Sequence, residues 1–237
     1  MLIILAFTFP LYAEGEIYYG LFSGGDTLYN SDAFLSTSVV LLKWGAEFYV
    51  KYSTLLEMAE QQGKVILDPM YATYSIVFGI RFFWHQYFNV YIDHYCRHLI
   101  DRDLNEGKVV FNGEFYQVSN VKTLYHEFLK PFYRFTYGFY PQGIFVDWLN
   151  SRPFYRHRFN LVTGIPFKKH FNAGFDFEFT ISNDKPPITY MKVIPWMRVF
   201  ASRKNRVIYA FVKYNLVNTG PIRSPEGLFF FGTGFRF

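Results

Sequence analysis

Alternation is clearest over residues 171–182, where Phe171, Ala173, Phe175, Phe177, Phe179 and Ile181 interleave with Asn172, Gly174, Asp176, Glu178, Thr180 and Ser182. Successive side chains of an extended chain point to opposite faces, so a period of two predicts a strand with one apolar and one polar side. The stretch before it repeats the pattern, with Tyr155, His157, Phe159, Leu161 and Ile165 against Arg156, Arg158, Asn160 and Gly164. A turn at 166–169 makes the two a hairpin and brings Arg156 and Arg158 toward Glu178 and Asp176. Carried along the chain, the pattern predicts strands near 16–22, 33–42, 46–54, 70–83, 87–99, 108–117, 131–140, 153–165, 170–182, 187–201, 206–217 and 227–237. Short connections (43–45, 84–86, 166–169, 202–205) alternate with longer ones (23–32, 55–69, 100–107, 141–152, 218–226). One connection differs. Between 119 and 130, Val121, Leu124, Tyr125, Phe128 and Leu129 recur at helical spacing before Pro131, which predicts a short helix either covering one rim or folded inward as a plug.

Composition turns this pattern into a fold class. Hydrophobic residues make up 51% of the 237 and aromatics 23%, yet no apolar run approaches the roughly 18 residues a spanning helix needs. Abundant apolar surface spread over alternate positions points instead to an all-β, transmembrane, antiparallel up-and-down β-barrel of about twelve strands, the other structure that satisfies its backbone within lipid. Residues 1–13 read as a signal peptide, apolar and ending in the small Ala13, which leaves 14–237 as a single barrel domain. A lone cysteine, Cys96, excludes an internal disulfide framework. The net charge of +5 is spread without a dense basic run, which argues against a nucleic-acid partner.

The chain closes with Gly232, two further residues, Phe235, Arg236 and Phe237. Glycine, two free positions, then aromatic, any residue, aromatic resembles the terminal insertion signal of bacterial outer-membrane β-barrels. Phe230 stands where that family usually has a polar residue. The resemblance implies the outer membrane of a Gram-negative cell, the barrel-assembly machinery as a partner, outer-membrane lipids and lipopolysaccharide as surroundings, and no cofactor.

With Phe235 and Phe237 facing out and Arg236 in, alternation assigns the inner wall Lys51, Arg81, Arg97, Arg156, Arg158, Lys192, Arg198, Lys213 and Arg236, against Glu47, Asp93, Glu114, Asp176 and Glu178. Buried charge must be paired or wet. The interior is then either closed by ion pairs or a narrow, porin-like channel whose cations favour small anionic solutes. In size, strand number and charge the chain is similar to the small twelve-stranded channels for acidic sugars. A further cluster, Arg97, Arg102, Arg152, Arg156 and Arg158, falls at strand ends or loops, where guanidinium groups can pair with lipopolysaccharide phosphates.

A second constellation is His94, Cys96 and His98, which continue the lipid-facing side of the strand that begins near Tyr87. Histidine two residues before a nucleophile on a barrel strand resembles outer-membrane phospholipase A and the lipid A deacylases, which carry His-x-Ser. The resemblance implies an acyl hydrolase with His94 as base and Cys96 as nucleophile. The same face assignment turns Asn112 and Glu114 inward and Val109, Phe111, Gly113 and Phe115 outward, which leaves His94 without the third group that fixes a tautomer. Metal ligation by His94, Cys96, His98 and Asp101 requires ligands spread over about 13 Å of strand, too far for one ion. The leading expectation is the anion-preferring channel and the alternative is the hydrolase. A structural or adhesion barrel acting through the loops at 55–69 and 141–152 is the third.

Overall fold

The computed structural model describes residues 12–24, 29–58, 69–83, 86–100, 109–141, 155–222 and 224–237. The strands are β1 (Tyr12–Phe22), β2 (Ser31–Trp44), β3 (Ala46–Met58), β4 (Pro69–Phe83), β5 (Tyr87–Leu99), β6 (Val109–Ser119), β7 (Phe132–Phe139), β8 (Tyr155–Lys168), β9 (Phe171–Ser182), β10 (Thr189–Arg203), β11 (Arg206–Tyr214), β12 (Val217–Asn218) and β13 (Phe229–Arg236). Each pairs antiparallel with its neighbour in sequence from β1 through β11. The two-residue β12 also pairs with β10, in line with β11, so β11 and β12 form one stave interrupted at Asn215 and Leu216. β13 lies between β11 and β1 and closes the ring. The result is a closed twelve-stranded antiparallel up-and-down barrel with one short helix.

Closure runs to the last residue. Gly15 and Phe237 exchange both backbone hydrogen bonds, at 2.9 and 3.1 Å. The Phe237 ring lies where a side chain on Gly15 would project, so only glycine fits beneath it. The β10–β11 hairpin turns on Lys204 and Asn205, both at positive φ, a geometry matched to the right-handed twist of the flanking strands. Tyr12 and Ala13 pair with Val40 and Val39 at the start of β1. The remainder of the expected signal peptide lies outside the described residues.

Connections at 45, 84–86, 169–170 and 204–205 define a short-turn end, and those at 23–30, 59–68, 100–108, 140–154, 183–188 and 219–228 a long-loop end. The outer wall carries large apolar side chains around the circumference, with Phe78 and Ile165 each 60% exposed and Ile208 66%. No helix of the described residues is long and apolar enough to cross a membrane. Such a barrel is compatible with the outer membrane.

The helix expected over 119–130 is a single turn, α1 (His126–Leu129). The rest of the segment is tied down locally, because the Asn120 side chain donates to the Pro131 carbonyl and accepts from the Tyr133 amide. The segment folds into the short-turn end as a plug. Phe128 is fully buried against Phe200 and Tyr209, and Val121 packs with Phe132, Val162 and Trp196. Glu127 is buried and takes ion pairs from Arg134 of β7 and Arg236 of β13. Lys122 reaches Glu47 of β3 at 3.3 Å. Opposite walls of the barrel are thereby bridged by one loop.

Candidate functional site

The outer wall is largely apolar, with tyrosine and threonine side chains among its outward positions. By the alternation of exposure and register, the histidine and carboxylate side chains facing outward on the strands, among the described residues, are His94 and His98 on β5, Glu114 on β6 and His157 on β8. All lie within four adjacent staves. Polar groups on a wall of this kind are costly in lipid and mark function.

Within that sector His94 and Asn112 are direct cross-strand partners, and His94 Nδ1 lies 2.6 Å from Asn112 Oδ1. An amide oxygen can only accept, so Nδ1 is the donor in this contact. Cys96 follows on the same face, two residues toward the long-loop end, and pairs across to Tyr74 and Val110. His98 stacks on Tyr74 with ring centroids 5.4 Å apart. Further round, Tyr137 Oη and His157 Nδ1 are 2.9 Å apart. His94, Cys96 and Asn112 therefore share one outward surface. No group of three or more His, Cys, Asp or Glu side chains that could hold a metal occurs among the described residues.

This arrangement corrects the face expected for β6. Asn112 and Glu114 point outward, while Phe111, Gly113 and Phe115 point inward. Phe115 is 5% exposed and stacks on Tyr91 at 5.0 Å, and Phe111 stacks on Tyr155 at 4.7 Å. Aromatic rings fill the lumen here, so the apolar face of β6 is its inner one. The register then places Asn112 beside His94, supplying the partner the sequence pattern denied it. Asp101, Arg102 and Arg152 lie outside the described residues.

Of the expected lumen cations, Arg81, Arg97, Arg158, Lys192, Arg198, Lys213 and Arg236 do face inward. Arg156 does not. A register shift between Tyr155 and His157 sets it on the exposed rim, where it donates to Asn183. The interior also collects carboxylates outside the expected set. Glu14 pairs with Arg81 at 3.3 Å, Glu16 with Arg236 at 2.7 Å, and Glu57 takes a two-pronged contact from Arg97 at 2.7 and 3.1 Å. Arg158 is paired with Glu178. With Glu127 added by the plug, the basic surplus expected from the sequence nearly cancels. Alternation extended two or three residues past the expected strand ends would have exposed Glu14 and Glu57. Lys51, Lys192, Arg198 and Lys213 remain without a carboxylate in ion-pair distance among the described residues. Instead, Arg198 lies 4.1 Å over the Trp196 ring, with its Nη1 buried and unbonded.

No family model matches this chain, and no curated protein matches it. The site stands on its geometry.

The lumen holds two cavities that meet at Asp93, Phe115 and Arg158. That at the short-turn end measures about 400 Å³ and runs up to the plug, bordered by Lys51, Arg81, Arg134 and Arg236. The other, about 320 Å³, lies toward the long loops and is bordered by Lys192, Lys213, Asn218 and several aromatic rings. In the last strand Gly232 gives its space to the Phe211 ring inside, while Phe235 and Phe237 stack on each other at 5.9 Å.

Proposed function

We propose that the chain is an integral outer-membrane barrel acting as a lipid acyl hydrolase at its lipid-facing wall, with Cys96 as nucleophile, His94 as base and Asn112 as the group that orients His94. The observation that carries the reading is the 2.6 Å contact between His94 Nδ1 and Asn112 Oδ1, on the face shared with Cys96. The apolar outer wall supports the membrane setting, with outer-membrane lipids and lipopolysaccharide as neighbours and the barrel-assembly machinery as the route in.

In this reaction His94 Nε2 takes the Cys96 thiol proton, and the thiolate attacks the carbonyl carbon of a lipid ester. The carbon–oxygen ester bond breaks, the leaving alkoxide receives the proton from His94, and a thioester remains on Cys96. Water, deprotonated by His94, then releases the fatty acid and restores the thiol. Asn112 keeps the imidazole in one tautomer throughout, the service a carboxylate gives in serine hydrolases. The site lies in the long-loop half of β5, so acyl chains reach it without leaving the bilayer.

The decisive assay follows fatty-acid release from phospholipid and from lipid A in mixed micelles by the purified barrel. Wild-type turnover that Cys96→Ala abolishes supports the reading; equal rates in the two proteins overturn it.

A second reading, a narrow channel preferring small anionic solutes, is favoured by Lys51, Lys192, Arg198 and Lys213, the interior cations left without carboxylate partners. Planar-bilayer recordings test it, and a preference for cations or an absence of conductance would reject it.

A further inference from the structure

We infer that the long-loop cavity is a binding site for a small, ring-bearing organic anion, held by Lys192, Lys213 and Asn218 at the interruption between β11 and β12. The inference goes beyond the channel reading and rests on it only for the ligand's route.

The site is made by an irregularity. β11 stops at Tyr214 and pairing with β10 resumes only at Val217. Between them the Leu216 amide bonds to the Val193 carbonyl and the Asn215 amide to the Leu228 carbonyl, so the backbone stays satisfied while the wall bends. Bulges of this kind re-aim side chains and recur beside functional sites. Here the bend gathers Lys213 before it, Asn218 after it and Lys192, the direct partner of Asn218 on β10, around one cavity.

Each of the three presents donors that the protein leaves unused. Lys213 Nζ lies 5.2 Å over the Tyr18 ring, 5.0 Å over Phe211 and 5.9 Å over Phe230, and these ring contacts are its partners. Rings hold an ammonium group in place by their quadrupoles but accept none of its hydrogen bonds as an anion would. Asn218 uses its Oδ1 to accept the Gly220 amide at 3.2 Å, which leaves the Nδ2 group as a donor in a residue 4% exposed. Lys192 has no bonded partner among the described residues. The contrast with the rest of the cavity is direct, because Arg158 there is already paired with Glu178.

The remaining lining sets the ligand class. Phe22, Phe111, Tyr140, Tyr155, Tyr190 and Phe230 face the cavity together with Asp32, Glu57, Asp93 and Glu178. Glu57 and Glu178 are neutralised by Arg97 and Arg158, Asp93 accepts from Ser75 and Asp32 has a partner of its own, so a ligand with a planar apolar body and one anionic group is left to satisfy the rings and the unused donors. At about 320 Å³ the cavity takes a single ring with its substituents. An aromatic carboxylate has this shape, and benzoate is the simplest probe.

Calorimetric titration of the detergent-solubilised barrel with benzoate, and with benzamide as the neutral isostere, tests the site. Saturable benzoate binding with no benzamide binding is the expected result, weakened at least tenfold in Lys213→Gln and in Lys192→Gln at an unchanged unfolding temperature. If Lys213→Gln does not fold, Lys192→Gln and Asn218→Ala carry the same expectation. Equal binding of benzoate and benzamide, no benzoate binding, or variants that bind like wild type would overturn the site. Conductance without benzoate binding rejects the site and leaves the channel, and benzoate binding without conductance rejects the channel and leaves the site.

Discussion

Arg236 and Glu127 are 109 residues apart in sequence and lie 3.2 Å apart inside the barrel. The contact joins the closing strand to the plug. Arg236 also donates to the Leu124 carbonyl at 3.0 Å and to Glu16 at 2.7 Å, so one guanidinium ties the plug, the last strand and the first strand together. Removing Glu127 takes the carboxylate partner from Arg134 and leaves Arg236 with Glu16 alone. Glu127→Ala is expected to cost about 3–5 kcal/mol, as for other broken buried pairs, measured as the shift in urea midpoint in detergent. A shift near zero would show that the plug is not part of the cooperative unit.

Asn112 acts on the proposed reaction only through His94. Asn112→Ala is expected to lower kcat by about 10²-fold or more, within the 10²–10⁴ a positioned base contributes, with KM little changed. Asn112→Asp restores an acceptor for Nδ1–H and is expected to recover much of the loss. A structural role alone would leave the two variants equally active.

Phe78 is 60% exposed on the outer wall of β4. In a bilayer, Phe78→Arg is expected to cost about 2–4 kcal/mol near the midplane, read as reduced folding into lipid vesicles. In water the same change removes an exposed ring and costs almost nothing, so the comparison tests whether this wall faces lipid.

Gly15 lies where the two ends of the sheet meet. A Cβ there would come 2.5 Å from the Phe237 ring and 2.7 Å from the Ser36 carbonyl oxygen. Gly15→Val is therefore expected to trap an open sheet, seen on cold gel electrophoresis as loss of the compact, heat-modifiable band. Gly45, which has nothing within 4 Å of its Cβ position, is strained by its positive φ alone and is expected to leave closure intact when changed to asparagine.

Strand positions were legible in the sequence because period-two alternation survives in most staves, and the observed bounds differ from the expected ones by a few residues. β6 shows where the pattern misleads. Phe111 and Phe115 look like a lipid-facing row, but the lumen beside them is lined with Tyr91, Tyr140 and Tyr155 and takes their rings. The long connection between β5 and β6 cannot fix register as the two-residue turn at Lys204 and Asn205 does for β10 and β11. Two of the three candidate site residues, His94 and Cys96, were therefore visible from spacing. Asn112 required the register. The interior ion pairs were hidden for a related reason, since Glu14 and Glu57 sit just beyond the strand ends that polarity suggests. The anion-preferring lumen loses most of its charge argument to these carboxylates, and what persists is local to β10 and β11.

The confinement of outward histidine and carboxylate side chains, among the described residues, to the β5–β8 sector gives the barrel a front and a back. A neighbour that approaches the Phe175 and Ile208 side meets hydrocarbon and rings, whereas one that approaches His94 and Asn112 meets donors and acceptors. Rotation about the barrel axis, which would change nothing for a uniform cylinder, decides here what an adjacent molecule can do. Orientation about that axis thus becomes a variable of its chemistry.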